Sequence, residues 1–304
     1  MNIKKKVREV AGKIAGVNKL QEQIDALYYY LNSLCNISDF PEAQGNLRDL
    51  QIADTWLLKI FNQICKKNDI EYWLDSGTLL GAVRHGGFIP WDDDVDICMD
   101  RDNYESALKI FPDIFEKMGI NVTETQDELG GRIGIGYKHK STGIWMDVFP
   151  VDYSTVKKEN KADYEKLLTE LKKGRKKWVR NHIKCTREEW YEVKQNTIHS
   201  LCSKEQGNSI IYTIEFCAEP TIHNYNSIFP LKEISFEGEI LMAPNSVREY
   251  LACEYGDNYT NFPRYGLVHH GDRNGTLAEW ANISKTDMGC VINELRNIYN
   301  TINK

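Results

Sequence analysis

The sequence predicts a mixed α/β fold of the α+β kind, a small mixed sheet with flanking helices, and three observations predict it. Short apolar runs at residues 72–74, 95–99, 132–137 and 144–149 read as strands. Longer stretches around them carry apolar residues at three- and four-residue spacing, the period of helices with one buried face. The last two strands are separated only by residues 138–143, too few for a helical crossover, so part of the sheet is antiparallel. A chain of 304 residues with 41% hydrophobic content is long enough to bury a sizeable core under this sheet.

The elements follow in order. Ile3, Val7, Val10, Ile14 and Val17 alternate four and three apart, and Ile24 and Leu31 continue the register past Gln21, so residues 1–35 read as an amphipathic helix. Lys4, Lys5, Lys6, Arg8, Lys13 and Lys19 make its first turns basic. Packing on the rest of the chain, self-association and contact with anionic lipid are the three uses such a helix has, and Gly12 and Gly16 weaken it in isolation. A polar linker with Pro41 ends this N-terminal unit at about residue 45, and a catalytic domain is expected over 46–275. Leu50, Ala53, Trp56, Leu57, Ile60, Phe61 and Ile64 mark its first helix. A strand at 72–74, a helical turn over 77–83 entered through a tight bend, a strand at 95–99 and a helix over 104–118 come next. Residues 156–214 are polar, helical in pattern and poor in strand signals, and are expected to form an insert. Its basic run from Lys172 to Lys184 reads as a solvated face, with contact to a polyanionic acceptor or lipid headgroups as the rival. A hairpin over 234–241, a helix over 245–255 and a closing helix over 286–302, within a C-terminal segment 276–304, complete the chain.

The densest chemistry lies between Asp75 and Met99. The small-residue bend Ser76-Gly77-Thr78 is followed by Asp92, Asp93, Asp94 and Asp96, which stand immediately before the apolar Ile97-Cys98-Met99. Adjacent carboxylates repel, so a cluster at a strand end calls for a cation or hydrogen-bond donors. Asp94 and Asp96 are one residue apart and share a strand face. Mg2+, or Mn2+ in its place, suits two such ligands together with a nucleotide diphosphate. A third carboxylate is expected opposite them; Asp147, in the apolar run Trp145 to Phe149, is the candidate, and Asp152 the reserve. Gly77 is expected to let backbone amides approach phosphate oxygens at the start of the helical turn. Arg84 and His85, on the connection to the acidic strand, are candidates for holding phosphates, whereas a histidine before Gly-Gly also serves to brace a turn. Trp91 reads as an anchor for the acidic loop. Arg264, His269, His270 and Arg273 form a second polar group with a possible part in closing over phosphates.

Residues 77–96, from Gly-Thr-Leu-Leu-Gly through Pro-Trp-Asp-Asp-Asp-Val-Asp, resemble nearly position by position the signature of the LicD family, which includes phosphorylcholine transferases and, more distantly, the fukutin-related ribitol-phosphate transferases. Asp147 to Asp152, Phe236 to Pro244 and Tyr250 to Asp257 extend the resemblance over roughly residues 50–270. It implies a nucleotidyltransferase-like core. It also implies transfer of a phospho-alcohol from a CDP-linked donor to a sugar hydroxyl of a glycan or lipid-linked glycan precursor, with CMP released. Phosphocholine is the first expectation for the group transferred, ribitol or glycerol phosphate the next. By position it carries over Asp94 and Asp96 as metal ligands and Asp147 as ligand or general base; the zinc site of the animal relatives finds no counterpart.

Rival readings are an Asp-x-Asp glycosyltransferase, a true nucleotidyltransferase releasing pyrophosphate, and a scaffold without activity. An EF-hand loop is excluded, because Ile97 and Asn103 stand where its glycine and bidentate glutamate belong. The net charge of -6 argues against a nucleic-acid partner. Eight cysteines without C-x-x-C spacing read as reduced thiols. No apolar run approaches the roughly 20 residues that cross a bilayer, and residues 1–6 lack the apolar core of a secretory signal, so the expected location is cytoplasmic, with peripheral contact at the inner membrane face as an option.

Overall fold

A computed structural model describes residues 3–127, 130–139, 142–157, 159–182, 186–203, 207–212, 221–262 and 285–303. Its elements are α1 (Ile3–Leu34), a 3-10 turn (Ile37–Asp39), α2 (Asn46–Lys67), β1 (Trp73–Leu74), α3 (Ser76–His85), β2 (Val95–Asp100) and α4 (Arg101–Glu116). Then come β3 (Asn121–Asp127), β4 (Gly130–His139), β5 (Thr142–Ser154), α5 (Lys161–His182), α6 (Arg187–Leu201), β6 (Ser209–Tyr212) and β7 (Ile222–Asn224). The chain continues through α7 (Tyr225–Ile228), β8 (Lys232–Phe236), β9 (Glu239–Ala243) and α8 (Val247–Tyr255) to a closing helix, here α9 (Lys285–Ile302). The expected mixed α/β architecture is borne out.

Five strands run in the order β1-β2-β5-β4-β3, and the one parallel pairing among the described strands is β2 with β5. Val151 of β5 faces Asp100 on one side and Tyr212 of β6 on the other, so β6 takes over the edge that β4 leaves after Val148. The stretch 156–214, read as polar and helical in pattern with few strand signals, holds α5 and α6 and then β6, by which the chain returns to the sheet at Ser209. Four residues flanked by long helical patterns are too short for periodicity to register. Leu167 and Leu171 of α5 pack with Ile211 and Ile222 of β6 and β7 in a small core of the insert's own.

Under the sheet, Phe61 of α2 meets Tyr72 and Phe111 of α4 edge to face, at 5.0 and 5.8 Å between ring centroids. Trp56 turns to the other helix, α9, against Tyr299 and beneath Arg296. On α1, Val17, Leu20, Leu27 and Leu34 are 57–80% exposed, while Asn32 near its end accepts the Phe262 backbone N–H at 2.8 Å. Among the described residues no helix is long and apolar enough to cross a membrane, and the six described cysteines are free thiols, as expected.

Two contacts carry the loop that leads to the acidic strand. A Cβ on Gly81 of α3 would stand 2.5 Å from the Gly87 carbonyl oxygen and 2.9 Å from the Ile89 nitrogen, so the helix lies directly on the loop backbone. The β8–β9 hairpin turns through Glu237 and Gly238, both at positive φ as a two-residue primed turn requires. The Glu237 carboxylate then accepts both guanidinium nitrogens of Arg48 (2.9 and 2.8 Å) and the Phe88 backbone N–H. Gly81→Ala is therefore expected to destabilise the fold by about 1–3 kcal/mol through overpacking. Gly289→Ala in α9, with no atom within 4 Å of the added methyl, should instead stabilise by about 0.4–1 kcal/mol. Urea unfolding of both variants measures the contrast; equal midpoints would contradict the packing described.

Candidate active site

Asp75, Asp96 and Asp147 stand in a row across three neighbouring strands. β1 pairs antiparallel with β2 through Leu74 and Ile97, and the ladder runs one step further, the Asp75 backbone N–H donating to the Asp96 carbonyl at 3.1 Å. β2 pairs in parallel with β5 so that Asp96 is the register partner of Asp147. Residues opposite one another in a ladder share a face, and neighbouring strands lie about 4.8 Å apart, so three carboxyl groups are brought side by side. The structure thus joins Asp96 to the Asp147 expected opposite it, and adds Asp75.

Burial is the main reason the Asp96 carboxyl is pushed well above the usual carboxylate range; Asp94, Asp75, Asp147 and Asp92 push it further. Asp75 is fully buried and held from both sides: the Tyr250 hydroxyl donates to Oδ1 at 2.5 Å and Ser76 Oγ to Oδ2 at 3.2 Å. Trp73 Nε1 in turn donates to the Tyr250 hydroxyl, which ties α8 to the row. Asp147 keeps two partners of its own: it accepts from Trp145 Nε1 at 2.7 Å and forms an ion pair with Arg132 Nε at 2.8 Å. Burial raises its carboxyl, and Arg132 and Trp145 oppose the rise. Gly134 and Gly136 of β4 make this arrangement possible, because a side chain at either would collide with the Trp145 indole.

The acidic loop is placed by α2 and α3. Gln51 Nε2 donates to the Asp92 carbonyl (2.9 Å) and to the Ile89 carbonyl (3.3 Å), and Thr78 Oγ1 accepts the Asp96 backbone N–H at 2.9 Å. Ser76 has φ 45°, a left-handed backbone that costs a residue with a side chain about 1 kcal/mol or more. The space beside Gly77 is filled: a Cβ there would stand 2.7 Å from Asp92 Oδ2. The position expected for a phosphate thus holds a carboxylate, an anion at the N-terminal turn of α3, where the helix dipole favours one.

Asp92, Asp93 and Asp94 can bring one oxygen each within 4.8 Å of one another. Asp92, Asp93 and Asp94 offer hard oxygen donors in close array, the donor set that suits Mg2+ or Mn2+; Asp96 and Asp147, expected with Asp94, are register partners of one another but do not join that array among the described residues.

Arg84 and His85 do not act as a pair. The Arg84 side chain is buried, its Nε and Nη2 have no hydrogen-bond partner among the described residues, and burial lowers its pKa to about 10 while Tyr255 works against the fall. His85 faces elsewhere, lining a cavity of about 240 Å³ with Ser38, Phe40 and Glu237. Burial and then Arg84 lower its pKa to about 4, which leaves it neutral at physiological pH. Trp91 meets Phe40 and His85 edge to face, as a loop anchor should. Asp152, the reserve ligand, is bound to Arg101 by two hydrogen bonds of 3.0 and 2.7 Å, five residues beyond Asp147. Arg264, His269, His270 and Arg273 lie outside the described residues.

Residues 69–246 match the model of the LicD/FKTN/FKRP nucleotidyltransferase domain. The chain belongs to this family. It is 29% identical over 255 residues to the lipopolysaccharide cholinephosphotransferase LicD of Haemophilus influenzae, covering 71% of this chain and 92% of that one. To the human ribitol 5-phosphate transferase FKRP it is 23% identical over 196 residues, covering 64% of this chain and 30% of that protein. The expectation of a LicD-type phosphotransferase is borne out by these relatives.

For this LicD-family protein the raised Asp96 carboxyl has a sign that can be measured. The folded chain holds that proton to higher pH than the unfolded chain, so stability is lost as pH rises out of the usual carboxylate range. Asp96→Asn keeps the backbone N–H that Thr78 accepts. In metal-free buffer it should raise the melting temperature at about pH 7, and the gain should vanish near about pH 4, where the unfolded carboxyl also protonates. A lower melting temperature at neutral pH would contradict the repulsion.

Proposed function

We propose that this protein transfers a phospho-alcohol from a CDP-linked donor to a sugar hydroxyl of a glycan or its lipid-linked precursor, releasing CMP. Phosphocholine is the first choice and ribitol or glycerol phosphate the next. The observation that carries the reading is the in-register pair Asp96 and Asp147, with Asp94 beside it, at the N-terminal turn of α3. The family supports it, and so does similarity over most of the length of a cholinephosphotransferase.

Asp94, Asp96 and Asp147 would hold a Mg2+ or Mn2+ ion. When bound, such an ion supplies charge neutralisation for a diphosphate and its leaving nucleotide. The chain's own residues do the rest. Arg84 offers buried, unpaired donors that suit phosphate oxygens. The first turn of α3, Ser76 to Thr78, favours an anion at its amides, a place the Asp92 carboxylate would have to yield to a phosphate. Asp147, fixed in orientation by Trp145 and Arg132, is placed to receive the proton of the attacking hydroxyl; the raised carboxyl makes it a better base than an exposed aspartate, and Arg132 limits that gain. Attack at the phosphorus distal to cytidine gives CMP and the phosphodiester; attack at the proximal one would give a nucleotidyl product instead.

Incubation with CDP-choline, CDP-ribitol or CDP-glycerol, Mg2+ and candidate glycans should release CMP, and product identity separates the rivals: UDP or GDP indicates sugar transfer, pyrophosphate nucleotidyl transfer. Asp94→Asn and Asp96→Asn are each expected to lower CMP release by at least about 100-fold with the fold intact. Turnover unchanged in either variant would reject the site.

A further inference from the structure

Helix α1 turns its apolar side to solvent over its second half. Val17, Leu20, Ile24, Leu27 and Leu34 are 42–80% exposed, and Leu31 is half-buried. None of them joins the cores or the hydrophobic residues packed on those cores. A helix draws most of its stability from packing such a face, and Gly12 and Gly16 weaken this one further. The contact it does make, Asn32 with the Phe262 backbone, leaves the apolar stripe open.

Spacing and charge say what covers that stripe. Val17, Ile24 and Leu31 recur every seven residues, and Leu20, Leu27 and Leu34 each follow three residues later. These are the a and d positions of a heptad; β-branched residues at a with leucine at d favour two parallel strands. The flanking e and g positions are Gln21, Gln23, Tyr28 and Tyr30, so an identical copy meets no like charge across the seam. Lys19, Glu22 and Asp25, the charged residues of 17–34, stand outside it and bring no net basic charge to anionic lipid. Ahead of Val17, Lys6 and Lys13 take the d positions. They interrupt the apolar stripe and end the seam.

We propose that residues 17–34 join two copies of this chain in a short parallel two-stranded coiled coil. The partner of the exposed stripe is the same stripe of a second copy. Both catalytic domains then lie at the C-terminal end of the coil, and both basic N-terminal segments at the other. The pairing is independent of the reaction proposed above.

Sedimentation equilibrium of the full-length protein at micromolar concentration tests it. The wild type should show twice the chain mass. Leu20→Lys combined with Leu27→Lys should raise the dissociation constant at least about 100-fold and give single chains. Both leucines are exposed within one chain, so its near-ultraviolet circular dichroism should not change. Ala26→Lys adds the same charge at an exposed position outside the seam and should leave the dimer intact. A short bismaleimide should link two chains through the exposed Cys35, next to Leu34, and Cys35→Ser should remove that link. A wild-type single chain, whether free or bound to phosphatidylglycerol vesicles, would overturn the proposal. So would a dimer that survives the two lysines, or a link that Cys35→Ser leaves unchanged.

Discussion

Like-charge repulsion across one row of a β-sheet is the constraint on which the structure turns. The ladder forces Asp75, Asp96 and Asp147 to share a face, and the loop before β2 adds Asp92, Asp93 and Asp94. Unopposed, such a row would unravel the strand ends that make it. The surrounding chain reads as a set of devices against that outcome. Tyr250 and Ser76 bind Asp75, Trp145 and Arg132 bind Asp147, and Gln51 pins the loop.

These devices come from distant parts of the sequence, which explains the family's extent along this chain. Tyr250 reaches the row from α8, and Glu237 reaches the loop through Arg48 and Phe88 from the β8–β9 hairpin. Both lie near or beyond the end of the 69–246 match, and α2 lies ahead of it. The domain is therefore completed by helices on either side: α2 and α9 pack against one another through Trp56 and Tyr299, and α2 carries the loop's support. The α5–α6 insert keeps a small core of its own.

Much of this was legible in the sequence. Apolar periodicity placed α2, α4, α8 and α9 within a few residues, and an aspartate inside the run Trp145 to Phe149 had no reason to be there except a site, so Asp147 could be named. Asp75 was hidden because its role depends on a ladder step that only pairing reveals. Arg132 was hidden because it pairs with Asp147 from the neighbouring strand, through a register set by tertiary structure. His85 shows the opposite failure, since adjacency to Arg84 suggested a shared task and successive residues of a helix face about 100° apart.

The central claim is that the acidic row binds a divalent ion that contacts the diphosphate of a CDP-alcohol. Phosphorus NMR of CDP-choline with substoichiometric Mn2+ and protein tests it most directly, because a bound paramagnetic ion broadens nearby phosphorus resonances. The account predicts broadening of both resonances by the wild-type protein beyond that from Mn2+ alone, and its loss with Asp96→Asn. Equal broadening by the two proteins would contradict it.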